Sequence, residues 1–254
     1  MIPHHRIDGE QGPLVVLASS LGTPLAMWDD LAADLSADHR VLRYDHRGHG
    51  GSAAPPGPYT MDELAHDVID LLDAVGAESA SFCGESLGGC VGQWLGANAP
   101  ERIDRLVLSC TSPSFGAPQG WHDRAAAVRA GGTEAVVDVV LARWFRPEFA
   151  RARPDVIAAF RAMFVSVGAE GYAGCCEALA GWAFDDELPR IAVPALVVAG
   201  DVDPAAPLDV VTAMAEAIPG SRLVVLEAAH LAPIEQAEAF TREVRAHLNT
   251  DGGT

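Results

Sequence analysis

The segment 81–89 constrains the fold of this chain more than any other feature of its sequence. It reads SFCGESLGG and contains the pattern G-x-S-x-G, with Ser86 at its centre. Short residues of β type precede the pattern, and a helix-forming run over 87–97 follows it. A serine on such a sharp strand-to-helix turn is held at the end of a sheet with its hydroxyl exposed. Gly84 and Gly88 suit this turn because a Cβ at either position would collide with the turn or the packed helix.

Apolar runs that predict strands alternate along the chain with segments of helical periodicity. The strand candidates are apolar throughout, which is typical of a parallel sheet covered by helices on both faces. Strands are predicted at 14–18, 40–44, 79–83, 106–110, 194–199 and 222–226. Helices are predicted at 28–35, 59–75, 87–97 and 240–248, and a frayed tail at 251–254. The predicted fold class is therefore α/β, with a mostly parallel central sheet and helices on both faces.

The alternation of predicted strands and helices stops between residues 117 and 190. The segment indicates several helices and no strong strand, with helix-breaking prolines at Pro147 and Pro154. We interpret it as a helical cap, inserted between two strands, that covers the carboxyl edge of the sheet. The core domain then comprises 1–116 and 191–254, and the cap domain comprises 117–190. A chain of 254 residues with 49% apolar residues is large enough for such an arrangement.

A candidate acid and a candidate base follow Ser86 in chain order. A serine hydroxyl is a weak nucleophile unless an oriented base takes its proton. Of the nine histidines, only His230 lies in a loop directly after a late strand and before a helix, and we predict that it is the base. Asp203, in the turn after strand 194–199, is the preferred acid, and Asp201 is the alternative. An aspartate in this position also commonly serves only to form a turn.

Two backbone amides are candidates for an oxyanion hole, which needs preorganised hydrogen-bond donors. Leu87 directly follows the nucleophile, and its N–H lies at the start of the predicted helix. Leu21 lies in the loop after the first central strand and is predicted to supply the second N–H. In the same loop, Ser20 is a candidate to contact the substrate through its hydroxyl, although a turn residue is an equally good interpretation.

Composition narrows the range of partners. The formal net charge of −18 disfavours binding to nucleic acid and to anionic membrane surfaces, so we expect a small-molecule substrate. An anionic substrate would need a local positive group. No apolar run reaches membrane-spanning length and no basic-apolar leader opens the chain, so we expect a soluble cytoplasmic protein. The sequence leaves the oligomeric state open.

No metal ion or other cofactor is predicted. The five cysteines lack zinc-binding spacing. His46 and His49 lie in the segment DHRGHG and could suggest a metal pair. The glycines and Arg47 of that segment fit a structural loop better.

Several narrower motifs accompany the general ones, and with them the chain resembles the α/β-hydrolase superfamily over nearly its whole length. The G-x-S-x-G and D-x-R-G-x-G patterns are common to that superfamily. Within it, the chain is most similar to the 3-oxoadipate enol-lactonases of aromatic catabolism. The narrower motifs are SLGT at 20–23, PPGPYT at 55–60, GQWLG at 92–96, RWF at 143–145 and AAHL at 228–231.

The resemblance implies hydrolysis of a small enol-lactone through an acyl-enzyme on Ser86. Such substrates carry a carboxylate, and Arg143 in the RWF motif would offer it a bidentate partner. An exposed helix arginine paired with Glu148 is an equally good interpretation of Arg143. Trp144 is a candidate wall of the substrate pocket or a residue that only packs the cap.

Some residues depart from the enol-lactonase pattern. Glu85 replaces a residue that is usually apolar, and a carboxylate beside the nucleophile disfavours an anionic substrate unless it is neutralised or turned away. Trp182 and Phe184 occupy positions where smaller, charged residues are expected. The alternatives are a general carboxylesterase or perhydrolase acting on a larger or less charged ester, and a ligand receptor that retains the Ser-His-Asp residues.

Overall fold

The computed structural model describes residues 1–249, so the tail predicted at 251–254 lies outside the described residues. Seven strands within this range form one sheet. They are β1 (His5–Asp8), β2 (Leu14–Ala18), β3 (Arg40–Tyr44), β4 (Ala80–Glu85), β5 (Ile103–Ser109), β6 (Ala195–Gly200) and β7 (Arg222–Leu226). The six strands predicted from apolar runs are all present, and β1 is an additional edge strand.

The sheet is mostly parallel, which confirms the predicted fold class. Its strand order is β1-β3-β2-β4-β5-β6-β7, and only β1 pairs antiparallel, with β3. Every residue of β2, β4 and β6 is buried, which explains why β2 and β6 are continuously apolar instead of alternating. Since β2 to β7 run in the same direction, the residues that follow them meet at one edge of the sheet.

Helices connect the strands and cover the sheet. In chain order they are α1 (Asp29–Leu35), α2 (Met61–Ala74), α3 (Leu87–Asn98), α4 (Pro118–Gly131), α5 (Val137–Trp144), α6 (Pro147–Ala152), α7 (Pro154–Val165), α8 (Ala169–Ala180), α9 (Leu208–Ala217), α10 (Ala232–Glu235) and α11 (Ala237–Leu248). The helix predicted at 59–75 begins at Met61 because Thr60 and Glu63 form a reciprocal capping box. No single helix in the described chain is long and apolar enough to span a membrane; α7 and α8 meet that criterion only together, across a 93° bend.

Helices α4 to α8 lie in the segment 117–190, between β5 and β6, which we call the cap segment. Its interior is aromatic: the Trp144 ring contacts Phe160 and Phe164 edge-on, with centroids 6.2 Å and 5.5 Å apart. Arg129 of α4 binds Glu170 and Glu177 of α8. These contacts join the cap helices to one another and place their apolar faces inward.

The cap segment packs against loops at the carboxyl edge of the sheet. The Leu231 amide donates a hydrogen bond of 3.0 Å to the Trp144 carbonyl, and the Gly168 amide donates one of 3.2 Å to the Gly48 carbonyl. Leu231 follows His230 directly in the chain. The loop that carries the candidate base is therefore fixed from the cap side.

Candidate active site

Ser86 occupies the turn between β4 and α3 in a strained conformation. Its φ of +54° is rare for a residue with a side chain and costs about 1–3 kcal/mol. A Cβ on Gly84 would lie 2.2 Å from the Gly88 carbonyl oxygen, and a Cβ on Gly88 would lie 2.3 Å from that of Ala18. The Ser86 amide donates to Ser109 O at 2.9 Å, and Thr111 Oγ1 donates to Ser86 O at 2.8 Å. Both glycines are therefore required sterically, and neighbouring residues hold the turn in place.

The structure brings Ser86, His230 and Asp203 into one hydrogen-bonded chain. His230 Nε2 lies 2.8 Å from Ser86 Oγ, and His230 Nδ1 lies 2.8 Å from Asp203 Oδ2. The other Asp203 oxygen accepts the amides of Ala205 and Ala206, at 2.7 Å and 3.1 Å. All three side chains are buried. With Asp203 accepting from Nδ1–H, the Nε2 atom is free to take the Ser86 proton.

Asp201, the alternative acid, contacts the same loop at a different place. Its Oδ1 accepts the Ala228 amide at 3.0 Å, and its Oδ2 lies 3.3 Å from an Arg146 nitrogen. Glu235, to which the sequence analysis assigned no role, accepts the Ala229 amide at 2.8 Å. Burial raises the pKa of the Glu235 carboxyl above its usual value. These two carboxylates hold the backbone immediately before His230.

The two predicted oxyanion donors lie on either side of this site. Leu21 lines the cavity that contains Ser86, and Leu87 opens α3 directly after it. Within residues 1–249, neither the Leu21 amide nor the Leu87 amide donates a hydrogen bond. Ser20 also lines the cavity, and its amide contacts Met27 Sδ at 3.4 Å. Two amide donors near Ser86 are thus available to a ligand.

A cavity of about 230 Å³ lies between the cap segment and the carboxyl edge of the sheet. It is smaller than the roughly 300–1,000 Å³ of sites for drug-sized ligands, so it suits a small molecule. None of the residues that line it is an aspartate or glutamate, although the chain has 35 of them. The lining comprises Ser20, Leu21, Ser86, Phe115, Gly116, Trp121, Arg124, Val140, Arg143, Trp144, Tyr172, Leu179, Pro204, Ala205 and His230.

Two arginines of the cap line this cavity without a carboxylate partner among the described residues. Arg143 was predicted from the sequence; its suggested partner, Glu148, instead pairs with Arg151 at 3.1 Å. Arg124 was not predicted, and its guanidinium carbon lies 5.2 Å from the centre of the Trp121 ring. The signal for Arg124 was its spacing of three residues from Trp121, which puts both on one face of α4. The site therefore carries uncompensated positive charge inside a strongly acidic protein.

Trp144 lines the cavity and also packs the cap, so both interpretations of this residue apply. Trp182 and Phe184 are stacked on each other, with centroids 4.5 Å apart, and neither lines the cavity. The Trp182 Nε1 atom donates to Ser112 O at 3.0 Å. These two aromatic residues therefore join the end of the cap segment to the chain that follows β5.

Glu85 is fully buried beside Ser86 and does not line the cavity. Neither of its carboxyl oxygens has a described partner with hydrogen-bond geometry. Burial raises the pKa of Glu85 well above its usual value; the Asp203 charge adds to the shift, while the nearby Ser109 hydroxyl and Cys110 thiol oppose it. Glu85 therefore lies outside the cavity, and its burial disfavours the charged carboxylate, which reduces the expected conflict with an anionic ligand.

The DHRGHG segment forms a loop whose histidines bind backbone atoms. His46 Nε2 lies 2.9 Å from Ser19 O, and His49 Nε2 lies 2.9 Å from the Gly22 amide. Over residues 1–249, no group of three or more His, Cys, Asp or Glu side chains is arranged to hold a metal ion.

The chain is similar to known hydrolases in sequence and in structure. The family model described as the alpha/beta hydrolase fold matches residues 13–237. A relative described as 3-oxoadipate enol-lactonase 2, from Acinetobacter baylyi, is 40% identical over 92% of this chain and 88% of its own length. The crystal structure of the enol-lactonase from Burkholderia xenovorans superposes with a TM-score of 0.95 at 45% identity, covering 97% of this chain and 96% of that one.

A further relative has a different described activity. A thermophilic esterase from Thermogutta terrifontis, solved with malate bound, superposes with a TM-score of 0.92 at 30% identity, covering 96% of this chain and 92% of that one. The family model and the two enol-lactonase relatives thus confirm that the chain resembles the α/β-hydrolase superfamily and, within it, the enol-lactonases.

Proposed function

The chain belongs to the α/β-hydrolase family and is a carboxylic ester hydrolase, and from this premise we propose that it opens a small lactone that carries a free carboxylate. The first candidate substrate is 3-oxoadipate enol-lactone, which relatives at 40% and 45% identity support. The proposed reaction consumes one water molecule and yields the ring-opened acid. It passes through a covalent ester on Ser86.

The observation that carries the proposal is the charge of the cavity. Arg124 and Arg143 line the same cavity as Ser86 and have no carboxylate partner among residues 1–249. Guanidinium groups bind carboxylates in a planar, bidentate manner, and the surrounding negative charge of the protein would otherwise repel such a ligand. A carboxylate bound there would leave the ester group of a small substrate near Ser86.

In the proposed first half-reaction, Ser86 Oγ attacks the lactone carbonyl carbon while His230 Nε2 takes its proton. Asp203, 2.8 Å from Nδ1, stabilises the imidazolium that forms. The amides of Leu21 and Leu87 donate to the carbonyl oxygen as it gains negative charge. The ring C–O bond then breaks, the enol oxygen leaves with a proton from His230, and the enol rearranges to the ketone.

In the second half-reaction, water attacks the acyl group on Ser86. His230 again takes a proton, now from the water, and returns it to Ser86 Oγ as the ester bond breaks. The product is the free acid, and the enzyme regains its starting state. Hydrolysis by this route needs no group beyond these side chains, the two amides and water.

Turnover of matched substrates tests the proposal. We would measure kcat/KM for 3-oxoadipate enol-lactone, its methyl ester and p-nitrophenyl acetate, in the wild-type protein and in Arg124→Gln and Arg143→Gln. Loss of a charged hydrogen bond should reduce kcat/KM for the carboxylate-bearing lactone about tenfold or more. Turnover of the two neutral compounds should change less than about threefold. Arg151→Gln, on exposed α6, is the matched control.

Three outcomes would contradict this function. Equal losses on charged and neutral substrates would remove the role of the arginines, and wild-type preference for the neutral compounds would favour a general esterase. Covalent labelling of Ser86 by a fluorophosphonate without turnover of any compound would favour a ligand receptor.

A further inference from the structure

Two buried histidines hold the loop that contains Leu21. His46 Nε2 lies 2.9 Å from the carbonyl oxygen of Ser19, at the beginning of the loop. His49 Nε2 lies 2.9 Å from the amide nitrogen of Gly22, directly after Leu21. Both side chains come from the DHRGHG segment after β3, and the two rings contact each other edge-on, with centroids 6.0 Å apart. The DHRGHG segment thus binds the loop after β2 through two side-chain contacts.

The partners determine where the protons of these rings lie. The Gly22 amide is a donor, so His49 Nε2 must accept, and His49 Nδ1–H donates to Arg47 O at 3.0 Å. The Ser19 carbonyl is an acceptor, so His46 Nε2 carries a hydrogen. Burial lowers the pKa of both histidines, that of His49 to about 4, and each ring is therefore neutral near pH 7.

The Leu21 amide lies between two amides of this loop that already have partners. The Ser20 amide contacts Met27 Sδ, and the Gly22 amide is bound by His49. The Leu21 amide between them has no acceptor in the described chain, and Leu21 lines the cavity that contains Ser86. A loop fixed on both sides of an unbound amide presents that amide at low reorganisation cost.

We propose that His49 is a positioning residue for hydrolysis: by binding the Gly22 amide, it directs the Leu21 amide towards the oxygen that becomes negative during attack by Ser86. His46 supports the same loop at Ser19. The proposal rests on the acyl-enzyme mechanism proposed above. His49 contacts no substrate atom, so its effect is expected on the transition state and not on ground-state binding.

The test compares His49→Leu, which removes the acceptor, with His49→Gln, whose amide oxygen can accept the Gly22 N–H. Three quantities would be measured: kcat and KM for p-nitrophenyl acetate, the affinity for an alkylboronic acid, and the affinity for adipate. A boronate bonded to Ser86 places an oxygen in the oxyanion position, whereas adipate is a ground-state ligand. The matched control is His122→Leu, an exposed histidine of α4.

His49→Leu should lower kcat at least tenfold and weaken boronate binding by a similar factor, with KM and adipate affinity changed less than about twofold. His49→Gln should recover most of both losses. The proposal is overturned if His49→Leu retains kcat within twofold, if kcat falls while boronate affinity is unchanged, or if a folded His49→Gln is as impaired as His49→Leu. A wild-type protein that neither hydrolyses the ester nor binds the boronate contradicts the acyl-enzyme mechanism itself.

Discussion

Asp201 and Asp203 lie two residues apart in the turn after β6, yet their carboxylates bind different parts of the His230 loop. Asp203 accepts from the His230 ring at 2.8 Å, and Asp201 accepts the Ala228 amide at 3.0 Å. The first contact orients an imidazole, and the second supports the backbone that carries it. Substitutions of the two residues should therefore have different consequences.

We expect Asp203→Asn to lower kcat by about 10²–10⁴-fold. The asparagine amide favours the tautomer in which His230 Nε2 carries the hydrogen, so the ring cannot take the Ser86 proton. Asp201→Asn retains an oxygen for the Ala228 amide and should cost less than about fivefold. Steady-state kinetics on p-nitrophenyl acetate measure both, and a larger loss in Asp201→Asn would reverse the assignment of the acid.

Ser86→Ala and His230→Ala should each reduce hydrolysis by at least about 10⁴-fold, because either change removes the activated nucleophile. Neither should unfold the protein. Circular dichroism and the urea midpoint would establish that the variants are folded, and Ser166→Ala, at an exposed serine, is the control. A variant at either position that keeps most of its activity would refute the mechanism.

Glu85→Gln should stabilise the protein more at pH 8 than at pH 5. Burial raises the pKa of Glu85 in the folded state above that in the unfolded chain. Between those two pKa values the unfolded chain binds fewer protons, so the free energy of unfolding falls with rising pH by up to about 1.4 kcal/mol per pH unit. Glutamine does not titrate and removes this fall.

Urea unfolding of the wild-type and Glu85→Gln proteins across that pH range measures the difference. Glu227→Gln, at an exposed glutamate, should show no comparable effect. Since Glu85 does not line the cavity and glutamine has nearly the same shape, Glu85→Gln should keep kcat within about threefold. A stabilisation independent of pH would mean that Glu85 is ionised in the folded protein.

Trp144→Ala should lower the free energy of unfolding by about 3–5 kcal/mol, because it leaves a cavity among packed aromatic rings. Trp144→Phe keeps an aromatic ring in place and should cost much less. Denaturant unfolding of both variants gives the comparison. If the alanine variant lost substrate affinity but no stability, Trp144 would serve only as a pocket wall.

The local sequence predicted the turn at Ser86 and the strands of the sheet that carries it. The turn at Ser86 follows from Gly84 and Gly88, because a Cβ at these two positions would lie only 2.2 Å and 2.3 Å from a backbone carbonyl oxygen. The buried strands β2 and β6 follow from unbroken apolar runs, since a strand covered on both faces has no solvent-exposed side. Both are short-range effects, and the sequence states them directly.

Other features arise from contacts between distant parts of the chain. The contact between Ser86 and His230 joins residues 144 positions apart. Arg124 gave only a weak signal, because its position in the cavity depends on how α4 packs over the sheet edge. Glu85 appeared as a charged residue in the sequence, and only the structure shows its complete burial, which raises the pKa of its carboxyl.

The sequence by itself thus determined the α/β fold, the turn at Ser86 and the candidate base, because local sterics and apolar periodicity act over a few residues. The tertiary structure alone decided between Asp203 and Asp201 as the contact of His230, and it alone showed that Arg124 lines the cavity with Arg143, neither having a carboxylate partner in residues 1–249. These features depend on distances and burial, which are set by packing between elements far apart in the chain. A small change in a distance or in burial determines whether a polar group is paired, neutral or available to a ligand.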